Sequence, residues 1–260
     1  MCIAIVKPIG AEIPSKKILR DCWDNNPDGA GLMYNDGQGV VIHKGFTKFK
    51  GFYKYLQKLN EQVDLTDKDL VLHFRIATSG GVNRECTHPF PVTNDIAEMK
   101  KLDNVCKYGF AHNGIIQGYG SKDFSDTMEY ISTVISKIKG IEESEALLNA
   151  LACEHASRFV VLTKDDFELG GDWIKDGDCY FSNGSYKPYY YTSKWSNVDW
   201  KKWEELEDSY FECSERCECC DALCYKDDII KTGYGNICKW CYEELLGAVE
   251  DKEEEKQMAL

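Results

Sequence analysis

No stretch of this 260-residue chain holds the roughly 18 consecutive apolar residues that a membrane-crossing helix needs. A secretion signal is also missing. The opening apolar run covers only residues 2–6, and Lys7-Pro8 ends it, so a cytoplasmic, reducing environment is expected. Basic charge is in deficit: 31 Lys and Arg stand against 44 Asp and Glu, a net charge of −13. That balance speaks against non-specific phosphate binding, so neither nucleic acid nor a membrane is an expected partner. There is no internal repeat. There is also no regular alternation of strand and helix, which argues against a doubly wound parallel sheet.

Cysteine, by contrast, is plentiful, with thirteen in the chain and seven of them between positions 213 and 241. In a reducing compartment such residues are ligands, nucleophiles or buried thiols rather than disulfides. Cys217-x2-Cys220 and Cys238-x2-Cys241 are separated by 17 residues. Each pair forms a knuckle offering two thiolates, and two knuckles complete a tetrahedral zinc site. Four thiolates leave no open position, so the zinc is expected to be structural, and a module this small needs its metal to fold. Residues 229–237 read as a hairpin and 242–246 as a short helix, a pattern that resembles zinc-ribbon or treble-clef modules. Cys213, Cys219 and Cys224 are surplus, and Cys219 or Cys224 could take the place of Cys220.

Ahead of that cluster, residues 2–6 read as a buried strand. Ser15 caps a helix to about Trp23, with Ile18, Leu19 and Cys22 on one face. Residues 31–34 and 40–43 form a hairpin with Asp36-Gly37 at its tip. Residues 49–59 make an amphipathic helix, 70–77 a strand, and 108–111 a strand before an Asn113-Gly114 turn. Apolar residues at spacings of three and four predict helices over 124–139 and 142–154. Strands follow at 158–163, 167–169 and 178–182. The result is an α+β arrangement of sheets with helices outside. Residues 186–212 are rich in Tyr and Trp and read as a connector held by aromatic contacts; residues 248–260 are a charged tail.

Cys2 taken alone reads as a buried thiol in a strand. Its company changes that. If Met1 is removed, Cys2 carries a thiol (pKa about 8.5) and a free α-amine (about 7.7–8.0), a nucleophile and a base on one residue. Asn113 and the Gly114 N–H suit an oxyanion hole for a tetrahedral intermediate. Arg75, at the end of a strand, suits a bidentate pair with a carboxylate. Asp126, just before a helix, suits an α-ammonium. Together they describe an amino acid with a terminal amide. For each residue a plainer role exists: an ion pair for Arg75, a turn for Asn113-Gly114, an N-cap for Ser125 or Asp126.

The pieces fall in the order of a known family: Met1-Cys2, Asn26-Pro27-Asp28-Gly29-Ala30-Gly31, His73-Phe74-Arg75-Ile76-Ala77-Thr78, Thr87-His88-Pro89-Phe90, His112-Asn113-Gly114-Ile115-Ile116 and Ser125-Asp126-Thr127. Over about 185 residues the chain resembles the class II glutamine amidotransferases, which are N-terminal-nucleophile (Ntn) hydrolases. The resemblance implies a four-layer α/β/β/α sandwich of two antiparallel sheets. It implies glutamine hydrolysis to glutamate and ammonia through a γ-glutamyl thioester on Cys2. It gives Arg75 and Asp126 the two ends of the substrate, Asn113 and Gly114 the oxyanion, and Thr78 and His88 supporting places. The chain departs from the pattern at Ile3, Ile76 and Ser79, where the family commonly has Gly, Trp and His, which bears on the shape of the pocket. The expected layout is a glutaminase domain at 2–185, the connector, a four-cysteine zinc module at 213–247 and the tail. Glutamine is the expected substrate and an ammonia-accepting synthase or other protein the expected partner. Two other readings stand beside it: an Ntn-type hydrolase of another γ-glutamyl or small amide, and an inactive zinc-containing scaffold.

Overall fold

The computed structural model describes residues 2–77, 81–121, 124–187, 214–219, 223–225, 229–233, 235–239 and 241–242. The chain divides into two compact units, Met1–Thr192 and Ser193–Leu260.

The first unit is a mixed α/β structure built on two antiparallel sheets. One has seven strands: β1 (Ile3–Lys7), β2 (Ala30–Asn35), β3 (Val40–Phe46), β4 (Leu70–Phe74), β6 (Asp103–Cys106), β10 (Ile174–Asp176) and β11 (Cys179–Phe181). They run in the order β10-β11-β1-β4-β2-β3-β6. The other has four, β5 (Phe90–Pro91), β7 (Gly109–Asn113), β8 (Arg158–Leu162) and β9 (Phe167–Gly170), in that order. Val6, Met33, Val40, Ile42 and Val71 of the first sheet form one buried cluster with Ala111, Val160 and Leu162 of the second, so the two sheets pack face to face. Helices cover the outer faces. Phe74 meets Trp23 of α1 (Lys16–Asn25) and Phe52 of α2 (Phe49–Val63) at ring distances of 6.4 and 5.1 Å. Phe110, Phe159 and Val161 pack against Met128 and Ile131 of α4 (Asp126–Thr133) and Leu148 and Ala152 of α5 (Glu145–Glu154). A four-residue helix α3 (Ile96–Met99) precedes β6.

Strand β1 shows why its apolar residues are unbroken. It pairs with β4 on one side and β11 on the other, and both of its faces are covered, so nothing in Ile3–Val6 needs to be polar. Its last residue, Lys7, is buried too. The ammonium donates to the carbonyls of Leu65, Thr66 and Lys68 at 2.5, 3.2 and 2.8 Å, which occupies all three of its protons.

Several elements differ from the sequence reading. The helix expected over 124–139 stops at Thr133; Val134 (φ −121°, ψ −70°) leaves helical geometry, and one 3-10 turn follows at Ile135–Lys137. The hydroxyls of Ser132 and Thr133 both donate to Glu129 O, at 2.9 and 2.6 Å, beside a run of β-branched residues that hold a helix poorly. Ser144 likewise accepts from Leu147 N and starts α5 afresh, so 142–154 is not one helix. Strand β4 ends at Phe74, short of Ala77, and β7 runs on through Asn113. Strands β6 and β10 escaped notice because their residues show little burial; ladders to β3 and β11, not an apolar face, make them strands.

Of the aromatic connector only Tyr186 and Lys187 are described. Tyr186 stacks on Phe181 at 3.8 Å and its hydroxyl donates to Asp176 at 2.6 Å.

In the second unit β12 (Ser214–Arg216) pairs with β13 (Leu223–Tyr225), and β14 (Ile229–Thr232) with β15 (Gly235–Cys238), the expected hairpin. Cys217, Ile237, Cys238 and Cys241 form its buried cluster, with Ile229 and Tyr242 against it. The short helix expected at 242–246 falls outside the described residues beyond Tyr242, as does the tail.

The lysine cap in the first unit gives a stability test. Lys7→Met keeps the stem but leaves buried carbonyls without donors, and should cost about 2–4 kcal/mol in urea unfolding.

Candidate active site

Alternation along β1 and β4 sets the site. In the ladder Ile3 faces Phe74 and Val6 faces Val71. Phe74 points to the helices and Val71 to the second sheet. One rung beyond Ile3, Cys2 and Arg75 come side by side on the face turned to the second sheet. The Cys2 thiol lies 3.4 Å from both Ile76 N, which donates to the sulfur, and Ile76 O, which accepts from it. Asn183 Nδ2 donates to Cys2 O at 2.7 Å, fixing the backbone behind it. Burial pushes the thiol pKa up; the Ile76 bond and the Arg75 charge pull against that, and the Asp126 charge adds to it. The sulfur is therefore a protonated thiol at neutral pH.

Arg75 is 3 % exposed. Its backbone is held by Gly29 O and Asp28 N, and Nη1 donates to Gly81 O at 2.9 Å. Asp28 also accepts from Ala77 N at 2.9 Å, so the Asn26–Gly29 turn supports the segment that leaves β4. Asp126 opens α4 after the Ser125 cap, whose side chain accepts from Met128 N. Its carboxylate accepts from Ile116 N at 2.8 Å and Thr127 N at 2.9 Å. Gly114 follows β7 at φ 151°, a conformation that favours glycine, and an added Cβ would run into Ser157 Oγ with His112 Nε2 3.0 Å away.

These residues share one cavity. Cys2, Arg75, Ile76, Gly114, Asp126 and Thr127 line it, together with Ser125, His88 and His112, around an empty volume of about 250 Å³ that includes open solvent. Of the residues singled out in the sequence, Cys2, Arg75, His88, Gly114 and Asp126 thus converge. Asn113 is adjacent but does not line the cavity: its Nδ2 donates to Ser182 Oγ at 3.0 Å, and its buried Oδ1 has no partner. Thr78 lies outside the described residues.

The sequence reading named His88 but missed the network that it joins. His73, His88 and His112 are all buried. His73 and His88 stack at 4.3 Å, and Thr127 Oγ1 lies 3.0 Å from His88 Nε2 and 2.9 Å from His112 Nδ1. The signal was present, since His73 and His112 sit in the quoted segments two and one residues before Arg75 and Asn113. Ser157 and Ser182 carried no local signal.

In the second unit the sulfurs of Cys217, Cys238 and Cys241 lie within 4.8 Å of one another, all buried. Cys238 N donates to Cys217 Sγ at 3.1 Å and Cys241 N to Cys238 Sγ at 3.4 Å. Backbone N–H groups aimed at sulfur suit thiolates, and two thiolates on one zinc at about 2.3 Å stand close together in this way, so the donors fit a metal. Cys219 is exposed. Cys220 and Cys213 lie outside the described residues, as does the side chain of Cys224.

No family profile and no curated protein matches the chain. Solved structures similar to it include glutamine phosphoribosylpyrophosphate amidotransferase from B. subtilis complexed with ADP and GMP, and the allosteric regulatory enzyme of purine biosynthesis. Each aligns at a TM-score of 0.42 and 17% identity, over 70% of this chain and 41% of the other. The chain spans less than half the length of either, and a likeness this slight carries no argument about the reaction; the residues of the cavity must carry it.

The buried histidines make stability depend on pH. Burial holds all three neutral, with His73 lowered to about 3, His112 to about 4 and His88 well below its usual value. Unfolded, each takes a proton near pH 6.5. Below that pH the unfolded chain binds more protons than the folded one, so stability falls as pH drops from about 6.5 toward 4, by up to about 1.4 kcal/mol per unit for each histidine. Thermal melts from pH 7.5 to 4.5 should show this loss, and His88→Gln should make it shallower.

Proposed function

We propose that residues 2–185, within the first unit, are a glutamine amidotransferase-type amidohydrolase of the Ntn class. The observation that carries this is the meeting of the Cys2 thiol, a buried arginine, a carboxylate and the Gly114 backbone in one cavity. With Met1 removed, the α-amine of Cys2 takes the thiol proton as sulfur attacks the side-chain amide carbon of glutamine. Arg75 pairs with the substrate carboxylate and Asp126 with its α-ammonium, which leaves the amide as the end that reaches sulfur. Gly114 N–H receives the developing oxyanion, joined by Asn113 once its amide turns from Ser182 toward the cavity. Collapse of the tetrahedral intermediate passes the proton to the leaving nitrogen, releases ammonia and leaves a γ-glutamyl thioester. Water then cleaves that thioester to glutamate and restores the thiol. His88 and Thr78 border the substrate.

The second unit is proposed as a structural zinc module at 213–247. Cys217, Cys238 and Cys241 supply three thiolates and Cys220 the fourth. Its proposed use is docking a protein that accepts the ammonia. The protein acts in the cytoplasm.

Two measurements test these proposals. Purified protein lacking Met1 should release ammonia from glutamine, and Cys2→Ala should abolish it while melting as the wild type does; hydrolysis that survives Cys2→Ala would refute the mechanism. For the module, metal analysis should find about one zinc per chain. Cys238→Ser should lose that zinc and the fold of the module, whereas the glutaminase activity of the first unit should persist.

A further inference from the structure

Proton bookkeeping behind the cavity leaves few choices. A carbonyl only accepts, so His73, 2.9 Å from His112 O, carries its proton on Nε2. Ser157 Oγ lies 3.1 Å from His155 O and 3.1 Å from His112 Nε2, and it has one proton. Thr127 Oγ1 also has one. Three groups compete for it: His112 Nδ1 at 2.9 Å, His88 Nε2 at 3.0 Å and Asp126 Oδ1 at 3.4 Å, the last too long for a good O–H···O bond. One assignment gives each contact on this path one donor and one acceptor, and leaves a bare acceptor rather than an N–H at the buried, unpartnered Nδ1 of His88 and of His73. His88 Nε2–H donates to Thr127, Thr127 to His112 Nδ1, His112 Nε2–H to Ser157, and Ser157 to His155 O. The path ends beneath Gly114, whose Cα is packed so tightly on Ser157 Oγ and His112 Nε2 that no side chain fits.

We propose that His88, Thr127, His112 and Ser157 form a one-way hydrogen-bond relay that positions Gly114, the oxyanion donor of the amide hydrolysis inferred above. The relay links α4, which carries Asp126, to the turn that carries Gly114. It holds His88 and His112 in the Nε2–H tautomer, the one that the His112 carbonyl sets for His73. Ser157 and His112 are positioning residues: they act through Gly114 and take no part in proton transfer to substrate.

This inference rests on the amidohydrolase reading for its kinetic part only. Histidine side-chain ¹⁵N spectra of the full chain at pH 7.5, assigned with single His→Gln variants, should show His73, His88 and His112 neutral and protonated on Nε2. A proton on Nδ1 of His112 would overturn the relay. In Ser157→Ala, His112 should shift its proton to Nδ1. Glutamine hydrolysis should lose about 10- to 100-fold in kcat, with KM within about 2-fold of wild type. Thr127→Ser, which keeps the hydroxyl, should retain both the tautomers and the rate. A changed tautomer with an unchanged kcat in Ser157→Ala would refute the positioning role. Wild-type protein without glutaminase activity would instead refute the amidohydrolase reading, and the tautomers would still decide the relay.

Discussion

The ladder between Ile3–Lys7 and Leu70–Phe74 is the constraint on which the site depends. Its register sets Cys2 beside Arg75 and turns both toward the second sheet. A slip of one residue would send Cys2 to the helix-covered face and Arg75 into the aromatic cluster around Phe74. That slip is closed off on both sides. Beyond β1, Ser182 accepts from Ala4 N at 2.8 Å and donates its own N–H to Ala4 O at 2.9 Å. Beyond β4, the Leu72–Leu32 and Phe74–Ala30 pairs continue the same register into β2. The chemistry is thus placed by central strands, where backbone position is fixed best, and only the far wall is built from turns and a helix start.

The far wall solves a different problem. Gly114 and Asp126 lie on segments that no ladder holds. Polar contacts take over there: Ile116 N to Asp126, the Ser125 cap, and the buried histidines with Thr127 and Ser157. Burying so many polar groups is costly unless each is paired. The histidine rings reduce that cost by staying neutral, as their lowered pKa values require, which leaves only uncharged acceptors at the unpartnered Nδ1 of His73 and His88. A charged ring there would compete with the nearby Arg75 for any substrate carboxylate. Neutral rings supply directional donors and acceptors without that competition.

Much of this was legible in the sequence, and what was legible has a common character. Cys2, Arg75, Gly114 and Asp126 each sit in a short segment whose chemistry is peculiar in itself, and the structure gathers them in one cavity. The hairpin after Gly31 and the capped helix after Ser15 were readable for the same reason, since turn and cap signals are local. What escaped is not local. Strands β6 and β10 exist because a neighbour offers a free ladder, not because of their own pattern. Ser157 and Ser182 are ordinary serines until the fold brings His112 and Asn113 to them, from 45 and 69 residues away. The long helix from 124 failed because periodicity reports which residues face the core, and Ile131 and Ile135 both do, without reporting the hydroxyl and β-branch effects that break the helix between them.

Asn113 shows how the two halves of the site meet. It is the last residue of β7, so its backbone belongs to a ladder, while its side chain crosses to Ser182 of the other sheet. Ser182 Oγ already accepts from Ala4 N, and its own proton needs an acceptor. The unpartnered Asn113 Oδ1 is the obvious one, and turning the amide over satisfies both groups at once. In that orientation Nδ2 takes the buried place where Oδ1 has no partner among the described residues. A buried donor left without an acceptor there would cost about 1–3 kcal/mol. The same serine that locks β1 in register therefore also sets the direction of the Asn113 amide.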